Sequence, residues 1–214
     1  DWYDAFPAGS RNLLATPRLL KLICDVLRRE VPDPPKNAEE RREVVQNLGM
    51  HTAAGVFRRA YFHVGDASDP DPQGLLAQGL RAMNLRAGSD DGKPTELDMP
   101  GQVRCLAMVL GAVAFHIFSL RSNQQTPEPY TGGVEYEELL KNVGPKLTEL
   151  GLRTQAQFKD DLDLLRRMNN HSLEFLIFNN DLSDSLLAFH DRTVLTFFAA
   201  YWAMQFGTDD DLQL

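Results

Sequence analysis

Residues 185–204 read SLLAFHDRTVLTFFAAYWAM, and this segment decides the fold that the sequence predicts. A short apolar run leads into the polar step His190-Asp191-Arg192, and a long apolar and aromatic run follows it. The pattern predicts a strand that ends at a polar corner, where Asp191 can cap a new helix through its carboxylate. We expect that helix to be largely buried, because its large apolar residues cover much of its circumference: Val194, Phe197, Phe198, Tyr201, Trp202 and Met204.

His190 lies just before the N-terminus of this helix, where the helix dipole favours an anion. Taken alone, a single histidine at such a corner favours a structural role. None of the five histidines pairs with another histidine or a cysteine at metal-ligand spacing, so we expect no metal site. The sequence has no Gly-x-Ser-x-Gly motif and no cysteine beside a base, so we assign no catalytic residue.

The residues before the corner carry the clearest β signal of the chain. Leu173–Phe178 is rich in aromatic and branched residues, residues 179–185 have turn chemistry, and Leu186–Phe189 is apolar again. This pattern predicts a hairpin between two helices. Helices, a two-stranded wing and a closing helix are the layout of a winged-helix domain.

Upstream of the hairpin the sequence predicts helices, and the first of them begins at Thr16-Pro17. Thr16 is the expected N-cap, and Pro17 fits the first helical position because its missing N–H is not needed there. The proline-rich breaker at residues 32–35 predicts that this helix ends near Glu30.

Capping boxes mark two further helix starts. Asn37 and Glu40 open a predicted second helix that continues to about Val64, and Thr154 and Gln157 open the last helix before the hairpin. Apolar periodicity and glycines at helix ends predict four more helices, over residues 73–87, 101–119, 134–143 and 145–150.

The predicted fold class is therefore mainly α: a helical bundle domain over residues 1–95, a winged-helix domain with one β-hairpin over residues 96–207, and an acidic tail over residues 208–214. The boundary falls in a polar segment rich in Gly, Asp and Pro. Its stretch Gly88–Pro94 superficially resembles a phosphate-binding loop. It is one residue too short, and proline replaces the Ser or Thr, so we expect a linker.

Composition limits the classes of function. The net charge of -8 argues against general affinity for nucleic acids. The longest apolar run, Cys105–Phe115, is too short to span a bilayer, and no signal peptide is visible. Cys24 and Cys105 lie in apolar helical patterns, which favours two reduced core cysteines and a cytoplasmic location without membrane contact. The chain has no starting Met, so we expect it to be a piece of a longer protein.

Two segments resemble the STAND NTPases, particularly the NACHT group, which includes NLR-like proteins. Leu187–Trp202 is similar to the end of their winged-helix domain, where an apolar strand reaches a histidine, a Ser or Thr follows, and Phe-(Phe/Leu)-Ala-Ala precedes an aromatic residue. Asn12–Cys24 resembles the segment after their nucleotide-binding core, where a proline precedes a leucine-rich helix. The two segments occur here in the family's order.

The resemblance implies the regulatory helical and winged-helix portion of an ATPase switch, held off by ADP, turned on by ATP and oligomerising in immune or antiphage defence signalling. It places Pro17 near the adenine and His190 at the ADP phosphates. It implies ADP/ATP, with Mg held by an upstream P-loop core, as cofactors of the parent protein. The implied partners are that core, a downstream sensor domain and other copies of the protein. This chain lacks Walker motifs, so the resemblance implies no catalysis by the chain alone.

A second interpretation is a stand-alone winged-helix regulator or helical adaptor that binds a protein or DNA and no nucleotide. A DNA reader needs a basic recognition helix. Phe158–Asn169 carries three basic residues against three aspartates, so we expect no nucleic-acid partner. The two interpretations differ in space, because the switch requires Pro17 and His190 to face one open cleft.

Overall fold

The computed structural model describes residues 2–62, 74–86, 99–122, 133–171, 178, 186–190 and 192–206. Within these residues the fold is mainly helical with a small two-stranded antiparallel sheet, as the sequence predicts at this level. The chain divides into two compact units, Asp1–Gln78 and Gly79–Leu214, which are described separately. The boundary expected at residue 95, the loop at residues 88–94 and the acidic tail lie outside the described residues.

The first unit contains two short 3₁₀ helices followed by α-helices. These elements are η1 (Tyr3–Ala5), η2 (Ala8–Ala15), α1 (Pro17–Glu30), α2 (Ala38–Asn47) and α3 (Ala53–Phe62), and α4 (Leu75–Arg86) crosses into the second unit. Its core is made of apolar side chains with almost no exposed surface: Phe6, Ile23, Val26, Val45, Met50, Val56, Phe57, Tyr61 and Phe62. Burial of this apolar surface is the main stabilising contribution.

The predicted bounds of α1 are confirmed, with Pro17 in its first turn. Thr16 takes the predicted N-cap position with an extended backbone, although its side chain makes no capping hydrogen bond. The capping box at Asn37 is confirmed in part, because Oδ1 of Asn37 accepts a 2.9 Å hydrogen bond from the Glu40 N–H. The reciprocal bond to the Glu40 carboxylate comes from the N–H of Lys36, at 2.7 Å.

The single helix predicted from Asn37 to Val64 is wrong, because the structure divides it into α2 and α3. Gly49 has φ of 67°, a left-handed conformation that glycine adopts at little cost. Its N–H bonds to the Gln46 carbonyl, and the Met50 N–H bonds to the Val45 carbonyl, which is the Schellman termination of a helix. A Cβ at Gly55 would overlap the Gly49 carbonyl oxygen, so the turn and α3 approach too closely for any other residue there.

After the end of α4, the second unit contains α5 (Met99–Ser122), β1 (Val134–Glu135), α6 (Tyr136–Asn142), α7 (Gly144–Glu149), α8 (Gln155–His171), β2 (Leu186–Leu187) and α9 (Arg192–Phe206). Four helices predicted in this region are confirmed within a few residues at their ends. Val134 and Glu135, which were predicted to be helical, form a strand instead. Gly151 ends α7 with φ of 68°, whereas Gly144 begins α7 and so does not terminate a helix as predicted.

The helices α5 and α9 form the core of this unit. Gly111 of α5 permits their close approach, since a Cβ on it would lie 3.1 Å from Cβ of Trp202 and 3.3 Å from the Phe198 carbonyl oxygen. The expected burial of α9 holds for one face only: Val194, Leu195, Phe198, Ala199 and Trp202 are buried. Met204, expected in the buried set, is 84% exposed because it lies on the opposite face.

Leu186–Phe189 pairs with two different parts of the chain. Val134 lies opposite Leu187 and Glu135 opposite Leu186 in the antiparallel sheet, while Phe178 forms an isolated antiparallel bridge with Phe189. The second strand of the predicted hairpin is therefore confirmed. The first strand, Leu173–Phe178, lies outside the described residues except for Phe178.

Buried Asn169 at the end of α8 fixes Phe178 in place. The Asn169 side-chain amide donates to the Phe178 carbonyl at 3.0 Å, and its Oδ1 accepts from the Phe178 N–H at 2.8 Å. Both main-chain groups of Phe178 are thus satisfied by one side chain, which a buried backbone group requires.

Among the described residues, one helical stretch, Met99–Leu120, is long and apolar enough to cross a membrane. It is longer than the apolar run noted in the sequence, and 61% of its most apolar window is buried inside the protein. Packing against α9 therefore accounts for its apolar character. Cys24 and Cys105 are free thiols, as predicted, but both are partly exposed and neither is a core residue.

Candidate functional site

His190 lies at an exposed corner between β2 and α9, and buried neighbours hold the corner on both sides. Phe189 is 1% exposed, and its ring centroid lies 5.4 Å from that of Phe178 and 6.4 Å from that of Phe198. On the helix side Val194 is fully buried. The backbone at His190 is thus fixed by packing, while its imidazole is accessible to a ligand.

The first turn of α9 gives this corner a positive potential. Unpaired N–H groups and the helix dipole favour an anion near the N-terminus of a helix. Arg192 and Thr193 are exposed there, and Oγ1 of Thr196 donates a 2.8 Å hydrogen bond back to the Arg192 carbonyl. Asp191, the predicted cap, lies outside the described residues.

Pro17 is exposed on the first turn of α1 in the other unit. The next residue, Arg18, donates a 3.2 Å hydrogen bond through Nη2 to the hydroxyl of Tyr61, which is buried on α3. This bond anchors the start of α1 and leaves the Pro17 ring at the surface. That Pro17 and His190 face one shared cleft remains a prediction.

The other histidines do not assemble into a metal site within the part of the chain that the structure describes. His51 is exposed in the turn before α3, and His116 lies on α5 with 14% of its side chain exposed. Burial lowers the pKa of His116, Lys146 lowers it further, and Glu138 acts in the opposite direction. No group of three potential metal ligands occurs among the residues described.

The basic residues at the predicted recognition helix, α8, are largely engaged with other groups of the same unit. Lys159 Nζ lies 3.2 Å from Oδ2 of Asp163, and the Arg166 guanidinium lies 5.3 Å above the ring of Tyr136. In the loop before α8, Nε of Arg153 donates a 2.8 Å hydrogen bond to Asp161. Arg167 is exposed, but the three aspartates of α8 balance the three basic side chains of this helix and leave no excess positive charge for a phosphate backbone.

The structure also contains a cleft that the sequence interpretation did not identify. It lies in the first unit with a volume of about 540 Å³ and is lined by Asp4, Ala5, Phe6, Pro7, Ala8, Arg11, Arg42, Val45, Gln46 and His51. Pro17 does not line it. The residues come from η1, η2, α2 and the turn after α2, so no local motif in the sequence indicates the cleft.

Comparison of the chain with protein-family models, with curated proteins and with solved structures found no match.

Proposed function

We propose that this chain is the regulatory helical and winged-helix portion of a STAND/NACHT-type ATPase switch that acts in immune or antiphage defence signalling. The observation that carries the proposal is His190, an exposed imidazole at a helix N-terminus on a corner fixed by buried Phe189 and Val194. A phosphate ligand needs such a fixed hydrogen-bond donor in a positive potential.

The order of elements in the second unit supports a winged-helix assignment. A winged helix has a first helix, a short strand, further helices and then a hairpin whose second strand pairs with the short strand. The second unit has α5, then β1, then α6 to α8, and β2 pairs antiparallel with β1. Phe178 bridges Phe189 at the position where the other strand of the wing belongs.

In the proposed off state His190 donates a hydrogen bond to an ADP phosphate and Pro17 contacts the adenine. Both side chains are accessible for these contacts. An upstream P-loop core holds most of the nucleotide and its Mg, and a downstream sensor domain receives the signal. When ATP replaces ADP, His190 is released, the winged-helix domain rotates, and self-association follows as a ligand-biased change between two states.

The charges on α8 support this proposal over a DNA-binding regulator. The recognition helix of a DNA reader presents unpaired basic groups to the major groove. Here Lys159 and Arg166 are engaged with Asp163 and Tyr136. The exposed Asp160 adds negative charge to the same helix.

The proposal is tested in the parent protein that carries the P-loop core. We expect His190→Ala to release ADP at least about tenfold faster, since the variant loses a charge-assisted hydrogen bond to phosphate. Basal ATP hydrolysis and self-association should rise together. The measurements are ADP retention after gel filtration, steady-state hydrolysis and the oligomeric state without a trigger.

The matched control is Met204→Ala, on the exposed face at the other end of α9. It should leave ADP retention unchanged. The proposed role of His190 is wrong if both variants retain ADP like the wild type. The wider proposal is wrong if the parent gene encodes no Walker A and Walker B motifs upstream of residue 1.

A further inference from the structure

The cleft of the first unit joins an apolar floor to a cationic rim. The exposed Pro7 and Ala8 supply most of the accessible apolar surface of the floor, which buried Ala5, Phe6 and Val45 complete. Arg42, Gln46 and His51 are exposed at the rim, and Arg11 is partly exposed. Its volume of about 540 Å³ lies within the range of sites for small molecules.

The lining has a positive charge although the chain is acidic. Two arginines against Asp4 give a net charge of +1 with His51 neutral, whereas the whole chain has a net charge of -8. The lining of the cleft is therefore more favourable to an anion than the average surface of this acidic chain.

The arginines at the rim are oriented by main-chain bonds. Nε of Arg42 donates to the Asp4 carbonyl at 3.5 Å, and Nε of Arg11 donates to the Phe6 carbonyl at 3.3 Å. The Arg11 guanidinium also lies 4.8 Å above the ring of Tyr3 and 3.6 Å from the Asp4 carboxylate. Because these bonds use Nε, the terminal nitrogens of Arg42 are available for a bidentate contact with a carboxylate or phosphate.

We propose that this cleft binds a small organic anion, with an apolar body on the floor at Pro7 and Ala8 and a phosphate or carboxylate on Arg42 and Arg11. His51 is placed to donate a further hydrogen bond to the anionic group. The apolar floor favours an organic anion over an inorganic one. The site does not include Pro17, so it is independent of the proposed nucleotide switch.

The test uses the full 214-residue chain and three probes: 1-naphthyl phosphate, 1-naphthol and inorganic phosphate. Titration calorimetry should show saturable binding of 1-naphthyl phosphate. Its affinity should be at least about tenfold higher than that of 1-naphthol or inorganic phosphate, because only 1-naphthyl phosphate contacts both the apolar floor and the arginines. Arg42→Gln should weaken this binding about tenfold by removal of the charge-assisted hydrogen bonds. Gln46→Glu should weaken it as well, through repulsion by a carboxylate one turn along α2.

Arg28→Gln is the matched control, because it removes the same charge as Arg42→Gln but on α1. The Arg28 side chain is 81% exposed and does not line the cleft. It should bind 1-naphthyl phosphate like the wild type. Circular dichroism checks that Arg42→Gln and Gln46→Glu are folded. The proposal is overturned if Arg28→Gln and Arg42→Gln weaken binding equally, if 1-naphthol binds as tightly as its phosphate, or if the folded wild type shows no saturable binding.

Discussion

The hydroxyl of Tyr136 donates a 2.6 Å hydrogen bond to Oδ1 of Asp163 and so joins the first residue of α6 to α8. Burial raises the pKa of Asp163, but the hydrogen bonds from Tyr136 and Lys159, together with the charges of Lys159 and Arg166, outweigh burial and leave the pKa below its ordinary value. Burial and the same bond raise the pKa of Tyr136. The pair therefore stabilises the fold while Tyr136 is neutral and Asp163 is charged.

We predict that Tyr136→Phe lowers the free energy of unfolding by about 1 kcal/mol near neutral pH, the usual contribution of one hydrogen bond. Because the pKa of Asp163 is lowered in the folded state, this contribution is lost as the pH falls through that pKa. The difference in the free energy of unfolding between the wild type and Tyr136→Phe should therefore become smaller in acid. Urea unfolding from neutral to acidic pH measures it, and equal stability at neutral pH would contradict the prediction.

We predict that Asn169→Ala destabilises the second unit by about 3 kcal/mol, because two buried main-chain groups of Phe178 lose their partner. The neighbouring Asn170 is exposed on the same helix, so Asn170→Ala is the control and should change stability by less than about 0.5 kcal/mol. Both values come from denaturant unfolding. Similar losses in the two variants would show that the Phe178 contacts do not matter.

We predict that two carboxylates of α1, Glu30 and Asp25, contribute very different amounts to the free energy of unfolding. Glu30 is 7% exposed and pairs with both Arg29 and Arg59, so Glu30→Ala removes the charge that two partly buried guanidinium groups share. The expected loss is about 3 kcal/mol. Asp25 is 42% exposed and pairs with surface cations, so Asp25→Ala should cost less than about 1 kcal/mol. Thermal unfolding compares them, and equal shifts in Tm would refute the prediction.

We predict that stability falls as the pH is lowered from about 7 to about 5, in part through His116. Burial and Lys146 lower the pKa of His116. The unfolded chain therefore takes up a proton in this range while the folded protein does not, which favours unfolding. Urea unfolding at several pH values measures the slope.

Two variants near His116 give the sign of this effect. Glu138 lies 3.9 Å from Nε2 of His116 and favours its protonation, so Glu138→Gln should steepen the loss of stability in acid. Lys146 opposes protonation of His116, so Lys146→Gln should make the loss of stability with falling pH less steep. A slope that is the same in the wild type and in both variants would exclude His116 as its source.

Helix starts could be predicted from the sequence, because the residues that cause them are local. Pro17, Asn37 and Thr154 each mark the start of a helix, and the last two accept the capping hydrogen bonds expected of them. The break between α2 and α3 was missed. Gly49 alone interrupts a run that keeps its helical periodicity, and a glycine inside such a run does not require a break.

The strand β1 could not be predicted, since Val134 and Glu135 become a strand only by pairing with Leu187 and Leu186, far along the chain. A two-residue strand has no alternation to detect. The cleft of the first unit was missed for the same reason, because Arg11, Arg42 and His51 are brought together by packing of separate elements. Pro17 and His190 are both exposed, while their nucleotide contacts and their shared cleft stay predictions.

The close approach of α5 and α9 at Gly111 limits how His190 can move. A Cβ at Gly111 would lie closer to Trp202 and Phe198 than ordinary van der Waals contact, so the two helix backbones approach closely. Movement of α9 toward α5 would press Cβ of Trp202 against the Gly111 backbone. His190 precedes the start of α9, so we expect a displacement of His190 to require movement of α5 and α9 together, as one rigid pair.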